Sequence, residues 1–267
     1  MSAALAESVR RAYGSFFEHA ERTRRWKVAD DLPWELAAGS PRDVTLALCA
    51  ESFCGVEMFL PDYVAGGLNL VRDDFGMTWF VACWGYEESK HALALREYLV
   101  RTGQRTPAEI DAYARTIAAG RWMPPFGTAR QMTLYGAIQE MTTFLSYKKQ
   151  EAAAEAKGDA LLAAIYKRIA RDEMAHCGFY VEVARLLLDE DPAGTKADLA
   201  HVFRHFRMPA TELIPRWDEH VAAMEASGLD RGAFVGEVWL PLLRRLGLTR
   251  RDLPRPPRVA IEGDVGG

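Results

Sequence analysis

The sequence predicts an all-α protein, and three observations predict it. Stretches such as "ALLAAIY" (160–166) and "VEVARLLL" (181–188) carry apolar stripes at helical spacing. No stretch shows sustained two-residue alternation bounded by turn residues, so no sheet is expected. Helix signals punctuate the periodic stretches: Thr106-Pro107-Ala108-Glu109 has the form of a capping box with proline at the first helical position. Gly158-Asp159 likewise reads as a helix stop followed by an N-cap. Helices are expected over about 3–24, 43–70, 74–102, 107–119, 129–157, 160–189, 195–206, 210–226 and 230–246. A proline-rich stretch near Arg251–Arg258 opens an extended tail over about 250–267. No low-complexity linker interrupts the chain, so residues 1–267 are read as one domain.

Bulk composition narrows the function. With 267 residues, 49% of them hydrophobic, the chain can bury one large core. A net charge of -4, from 33 basic and 37 acidic residues, gives no basic excess for nucleic acid. Cys49, Cys54, Cys83 and Cys177 form no C-x-x-C pair. That argues against structural zinc and a disulfide framework, and favours a reducing, cytoplasmic setting. No apolar run is read as approaching the ~20 residues of a membrane span. The N-terminus is amphipathic and arginine-rich, yet Glu7, Glu18 and Glu21 set it apart from a transit peptide. It is expected to be a first helix.

The chemistry lies in "RDEMAHCGFY", residues 171–180, where Asp172, Glu173 and His176 interrupt an apolar helix. Burying unpaired carboxylates is costly, so this face either meets water or is neutralised from within. A repetition decides between them. A lone Glu57 in "FCGVEMFL" is followed by Glu88 and His91 in an E-x-x-H string; a lone Glu140 in "LYGAIQEM" is followed by Glu173 and His176 in another. The lone glutamate precedes its partner by 31 residues (57 to 88) and by 33 residues (140 to 173). Residues at i and i+3 share a helix face, so each pair can reach one metal pair. The lone glutamates add two carboxylates, which can bridge, and four carboxylates offset two divalent cations. This pattern is the signature of carboxylate-bridged di-iron and di-manganese bundles. The fold class is therefore all-α, a ferritin-like di-iron four-helix bundle with additional helices. Oxygen and imidazole ligands favour two iron ions per chain, with manganese as a possible substitute. His201 and His205 stand at i and i+4 but lack a third ligand nearby; His19 and His220 are isolated.

At these residues the chain resembles the soluble acyl-carrier-protein desaturases. "EESKH" and "DEMAH" are similar to that family's Glu-Glu-x-Arg-His and Asp-Glu-x-Arg-His motifs. "EMFLPDY", "QEMTTFLS", "RWKVADDLPW" and "FRMPATEL" extend the resemblance from about residue 26 to past 210. The resemblance implies that Glu57, Glu88, His91, Glu140, Glu173 and His176 are iron ligands. It implies that Thr143 stands beside the oxygen site, and that Asp172 accepts from His91 and, with Trp26, links surface to metals. The implied reaction removes two hydrogens from an acyl chain held on acyl carrier protein. O2 is the oxidant, a ferredoxin-type protein the donor, and a homodimer the assembly. Lys90 and Ala175 replace the family's arginine before each histidine, which predicts that part of a supporting polar network is missing. Phe59, Met123, Met132, Tyr135 and Phe144 are candidates for the acyl channel, and Lys148, Lys149, Arg168 and Arg171 for a basic carrier-protein patch. The rival readings are a di-iron oxygenase of another substrate and a ferritin-like iron-binding protein without an organic substrate.

Overall fold

The computed structural model describes residues 2–226 and 234–254, and those residues contain helices and no strand. The helices are α1 (Ala3–His19), α2 (Val44–Glu57), α3 (Leu60–Val71), α4 (Phe75–Arg101), α5 (Pro107–Ala119), α6 (Ala129–Ala156), α7 (Ala160–Glu190), α8 (Pro192–His205), α9 (Trp217–Ala226) and α10 (Leu240–Arg245). Side-chain caps open most of them, as the sequence signals require. Asp43, Asp74, Thr128 and Asp159 accept from the backbone N–H three residues on. The capping box of Thr106 and Glu109 is present. Gly158, at φ +78°, reverses the chain between α6 and α7, a backbone region that glycine enters without strain.

Two antiparallel hairpins make the bundle. In the first, α2 and α3 run against α4: Cys54 Sγ meets the Ala92 carbonyl, and Gly67 faces Val81. In the second, α6 runs against α7: Cys177 Sγ meets the Ala137 carbonyl, and Gly136 lies under the Tyr180 ring. Helix α1 lies across α4 and α7, where Gly76 admits the backbone of Val9 and Arg10 within 2.9 Å of where a Cβ would stand. Buried side chains form the core between these layers, with Tyr98, Tyr147, Tyr166 and Phe80 its largest fully enclosed members.

Several boundaries differ from expectation for local reasons. The helix expected over 43–70 is broken after Glu57, because Pro61 lacks an N–H and cannot sit inside a continuous helix. Val44–Val71 is long and apolar enough to span a membrane by length and composition, contrary to expectation. Its most apolar window is 61% buried inside the bundle, however, as suits a core element. The end of the first expected helix is a π turn, Ala20–Arg24. Helix α8 starts early, at Pro192, capped by Asp191. Helix α9 starts only at Trp217, after a 3₁₀ turn at Thr211–Leu213. A π turn, Phe234–Trp239, precedes α10. The remainder of the helix expected over 230–246, and the tail beyond 254, lie outside the described residues.

Candidate metal centre

Four helices each deliver ligand atoms to one buried point. Glu57 comes from the end of α2, Glu88 and His91 from the middle of α4, Glu140 from α6, and Glu173 and His176 from α7. None is more than 5% exposed. The atoms fall into two groups, each within 4.8 Å: Glu57, Glu88, His91 and Glu173 in one, and Glu88, Glu140, Glu173 and His176 in the other. The shared carboxylates are Glu88 and Glu173. The sequence suggested that the lone glutamates can bridge; in the structure each of them belongs to one group only. The E-x-x-H glutamates lie centrally because α4 and α7 bring them to the interface between both groups.

Both imidazoles are oriented the same way. His91 Nδ1 faces Glu88 and Glu173 at 3.3 and 3.4 Å, and His176 Nδ1 faces Glu88 at 3.1 Å and Glu140 at 3.5 Å. The outer nitrogens meet carboxylates: His91 Nε2 lies 3.3 Å from Asp172 Oδ2, and His176 Nε2 lies 2.7 Å from Glu87 Oε2. An ionised carboxylate only accepts, so each Nε2 donates outward, and Nδ1 is the atom whose lone pair would face a bound cation. Burial pushes Asp172 and Glu87 upward. Hydrogen bonds from His91 and His176, and the charges of those rings and of Arg24, outweigh it and hold both carboxyls below the usual range.

The two lone glutamates shift the opposite way. Burial, then repulsion from Glu88, raises Glu57 well above an ordinary carboxyl; burial and Glu173 do the same to Glu140. Six inward atoms have no hydrogen-bond partner: Glu88 Oε1, His91 Nδ1, Glu140 Oε2, both oxygens of Glu173 and His176 Nδ1. Buried polar atoms are rarely left so. Divalent cations would satisfy all six and offset the four carboxylates, so the donor set fits a pair of metal ions.

The model of the family described as "Fatty acid desaturase" matches residues 35–228. The chain belongs to the fatty acid desaturase family. It is 31% identical over 187 residues to the stearoyl-[acyl-carrier-protein] 9-desaturase 6 of Arabidopsis thaliana, covering 66% of this chain and 47% of that protein. It is 26% identical over 194 residues to DesA1 of Mycobacterium tuberculosis, a candidate acyl-carrier-protein desaturase, covering 69% and 56%. The chain thus spans about half the length of the curated relatives it matches. The crystal structure of DesA2 from M. tuberculosis H37Rv, an acyl-ACP desaturase candidate, superposes with TM-score 0.68 at 19% identity, over 94% of this chain and 100% of that one. An R2-like ligand-binding oxidase reconstituted with a Mn/Fe cofactor superposes with TM-score 0.55 at 14% identity, over 93% and 94%. Both share its ferritin-like fold.

The other predicted residues of this desaturase-family chain distribute unevenly. Trp26 is buried, and its Nε1 donates to Asp172 Oδ2 at 2.7 Å. Lys90 Nζ stands 4.7 Å from the Trp26 ring and 5.2 Å from that of exposed Tyr86. Thr143 borders an apolar cavity of ≈ 150 Å³ that reaches Glu57 and Glu88. Its hydroxyl donates to the Gln139 carbonyl at 3.0 Å and accepts from the Gln139 amide at 3.1 Å. Met132 and Tyr135 line that cavity, whereas Phe59 and Phe144 pack in the core and Met123 is 76% exposed. The cavity wall uses Trp84, Trp122, Tyr180 and Trp217 instead. The basic patch is mostly committed elsewhere: Lys148 pairs with Glu151, Lys149 with Glu237, and Arg171 with the Arg24 carbonyl.

Sequence reasoning missed four supporting residues. Glu87 was signalled by symmetry, since each E-x-x-H glutamate follows an acidic residue. Tyr147 donates to Glu57 Oε1 at 2.6 Å, and Trp84 Nε1 to Glu140 Oε1 at 3.0 Å. Arg24 joins Asp172 and Glu87. No local pattern marks these last three.

Proposed function

We propose that the protein desaturates an acyl chain held as an acyl-carrier-protein thioester, using O2 and two iron ions reduced by a ferredoxin-type donor. The observation that carries this reading is the position of the donor set: six buried ligands open onto an apolar cavity lined by Glu57 and Glu88. Glu57, Glu88, His91 and Glu173 would hold one ion, and Glu88, Glu140, Glu173 and His176 the other. Manganese is a possible substitute, since its ligand preferences overlap. When bound, the metal pair would activate O2, the oxidant that breaking an unactivated C–H bond demands.

The chain's own residues do the rest. Trp84, Met132 and Tyr135 present a dry wall that orients an alkyl chain and excludes water. Thr143 offers a hydroxyl at that wall, and moves a proton inward once it turns from the Gln139 carbonyl. Asp172 holds the His91 ring, and with Trp26, Lys90 and Tyr86 it gives electrons from the donor a line inward. An exposed aromatic stripe on α4 supports a homodimer, and four free cysteines among the described residues support a cytoplasmic setting. The test is to incubate the iron-loaded, reduced protein with a panel of acyl carrier proteins and read the products by mass spectrometry. Loss of two hydrogens from one acyl chain supports the reading. Gain of an oxygen atom, or iron accumulation with no organic change, replaces it with a rival.

A further inference from the structure

We infer that Arg24, outside every motif above, positions both histidine ligands at once. Its guanidinium is 4% exposed and forks between two carboxylates: NH1 donates to Asp172 Oδ1 at 2.8 Å and NH2 to Glu87 Oε2 at 3.0 Å. Asp172 accepts from His91 and Glu87 accepts from His176. One rigid, permanently charged fork therefore fixes the two acceptors that set ring orientation on both sides of the centre. A lysine, a point charge, cannot hold both in register.

The backbone is shaped for this task. Successive residues of a regular α-helix point about 100° apart. Here three successive residues converge: Arg24 on Asp172 and Glu87, Arg25 on Glu87, and Trp26 on Asp172. The chain leaves the helix here: the π turn Ala20–Arg24 ends at Arg25, whose backbone (φ -58°, ψ 138°) is no longer helical, so Arg25 and Trp26 are released from helical spacing. The Arg24 carbonyl is itself held by Arg171 at 2.6 Å, and its guanidinium lies 5.1 Å from the Phe16 ring. Arg24 pairs with Asp172 and Glu87, and Arg25 with Glu87, so each outer carboxylate has a cationic partner of its own.

The inference rests on the six-ligand reading, and its test separates the two. Zinc is titrated into wild type, Arg24→Met, Arg24→Lys and Leu5→Ala, each labelled with ¹⁵N-histidine. Leu5→Ala loosens α1 without touching the fork, because Leu5 packs at its far end. Wild type should bind two ions, with Nε2–H on both His91 and His176; failure there sinks the six-ligand reading itself. Given that result, Arg24→Met should weaken both sites about 10–100-fold and lose the Nε2–H signature on both rings. Arg24→Lys should recover at most one ring, and Leu5→Ala should keep both. Unchanged affinity in Arg24→Met, loss at one ring only, or an equal loss in Leu5→Ala overturns the role of Arg24.

Discussion

Glu88 and Glu173 belong to both ligand groups, while Glu57 and Glu140 each belong to one. Removing a shared carboxylate takes a bond and a balancing charge from both ions; removing an outer one affects a single ion. Elemental analysis of purified variants should therefore show Glu140→Ala falling from two ions toward one, and Glu88→Ala toward none. Equal losses would contradict the shared assignment. The outer carboxylates depend on aromatic donors in turn. Tyr147, fully enclosed, gives Glu57 a short hydrogen bond. Tyr147→Phe leaves that buried oxygen without its donor, at a cost of about 1–3 kcal/mol. Urea denaturation should report a matching drop in midpoint with helix content kept, and an unchanged midpoint would release Tyr147 from this role.

At the level of helices, α9 is held by an uncharged histidine. His220 is fully buried between α9 and α2, and its Nε2 lies 3.2 Å from the Pro215 carbonyl. Burial pushes the ring below its ordinary value, so it stays neutral in the fold. The unfolded ring gains a proton near pH 6.5. Stability is thus complete above that pH and lost as pH falls below it, by at most about 1.4 kcal/mol per pH unit. His220→Gln keeps a donor and cannot titrate, so its thermal midpoint should fall less between pH 6.5 and 5 than that of wild type. Parallel slopes would show that His220 is not the titrating group. Helix α9 also shows where the sequence ceases to be legible. The ligand helices are readable because Glu88 with His91, and Glu173 with His176, repeat a three-residue spacing. Asp43, Asp74 and Asp159 announce their helix starts locally. Pro215 lies inside the helix expected over 210–226 and cannot donate within it, but no local pattern marks left-handed Ala210 and Arg216, which bend the chain before α9 starts at Trp217. Likewise Arg24 finds Asp172 across 148 residues and Tyr147 finds Glu57 across 90, separations that no window of sequence contains. Pro61 was in plain view, yet the apolar run around it masked the break after Glu57.

At the scale of the whole molecule, the outer face of α4 presents exposed apolar side chains among the described residues. Phe75, Trp79, Tyr86 and Leu93 stand at spacings that share one face, and they are 69%, 46%, 57% and 46% exposed. A contiguous apolar stripe of this kind marks an association surface. Sedimentation should find wild type dimeric and Trp79→Glu monomeric with unchanged helix content; a dimeric variant would move the interface elsewhere. The support of the two histidines is crossed, and this bears on how the chain matures. Asp172 on α7 steadies His91 on α4, and Glu87 on α4 steadies His176 on α7. A half-folded chain holding one hairpin owns three ligands but not the carboxylate that aims its imidazole. With the proposed ions, neither hairpin alone would be a competent chelator, and loading would be a closing step of maturation rather than its seed.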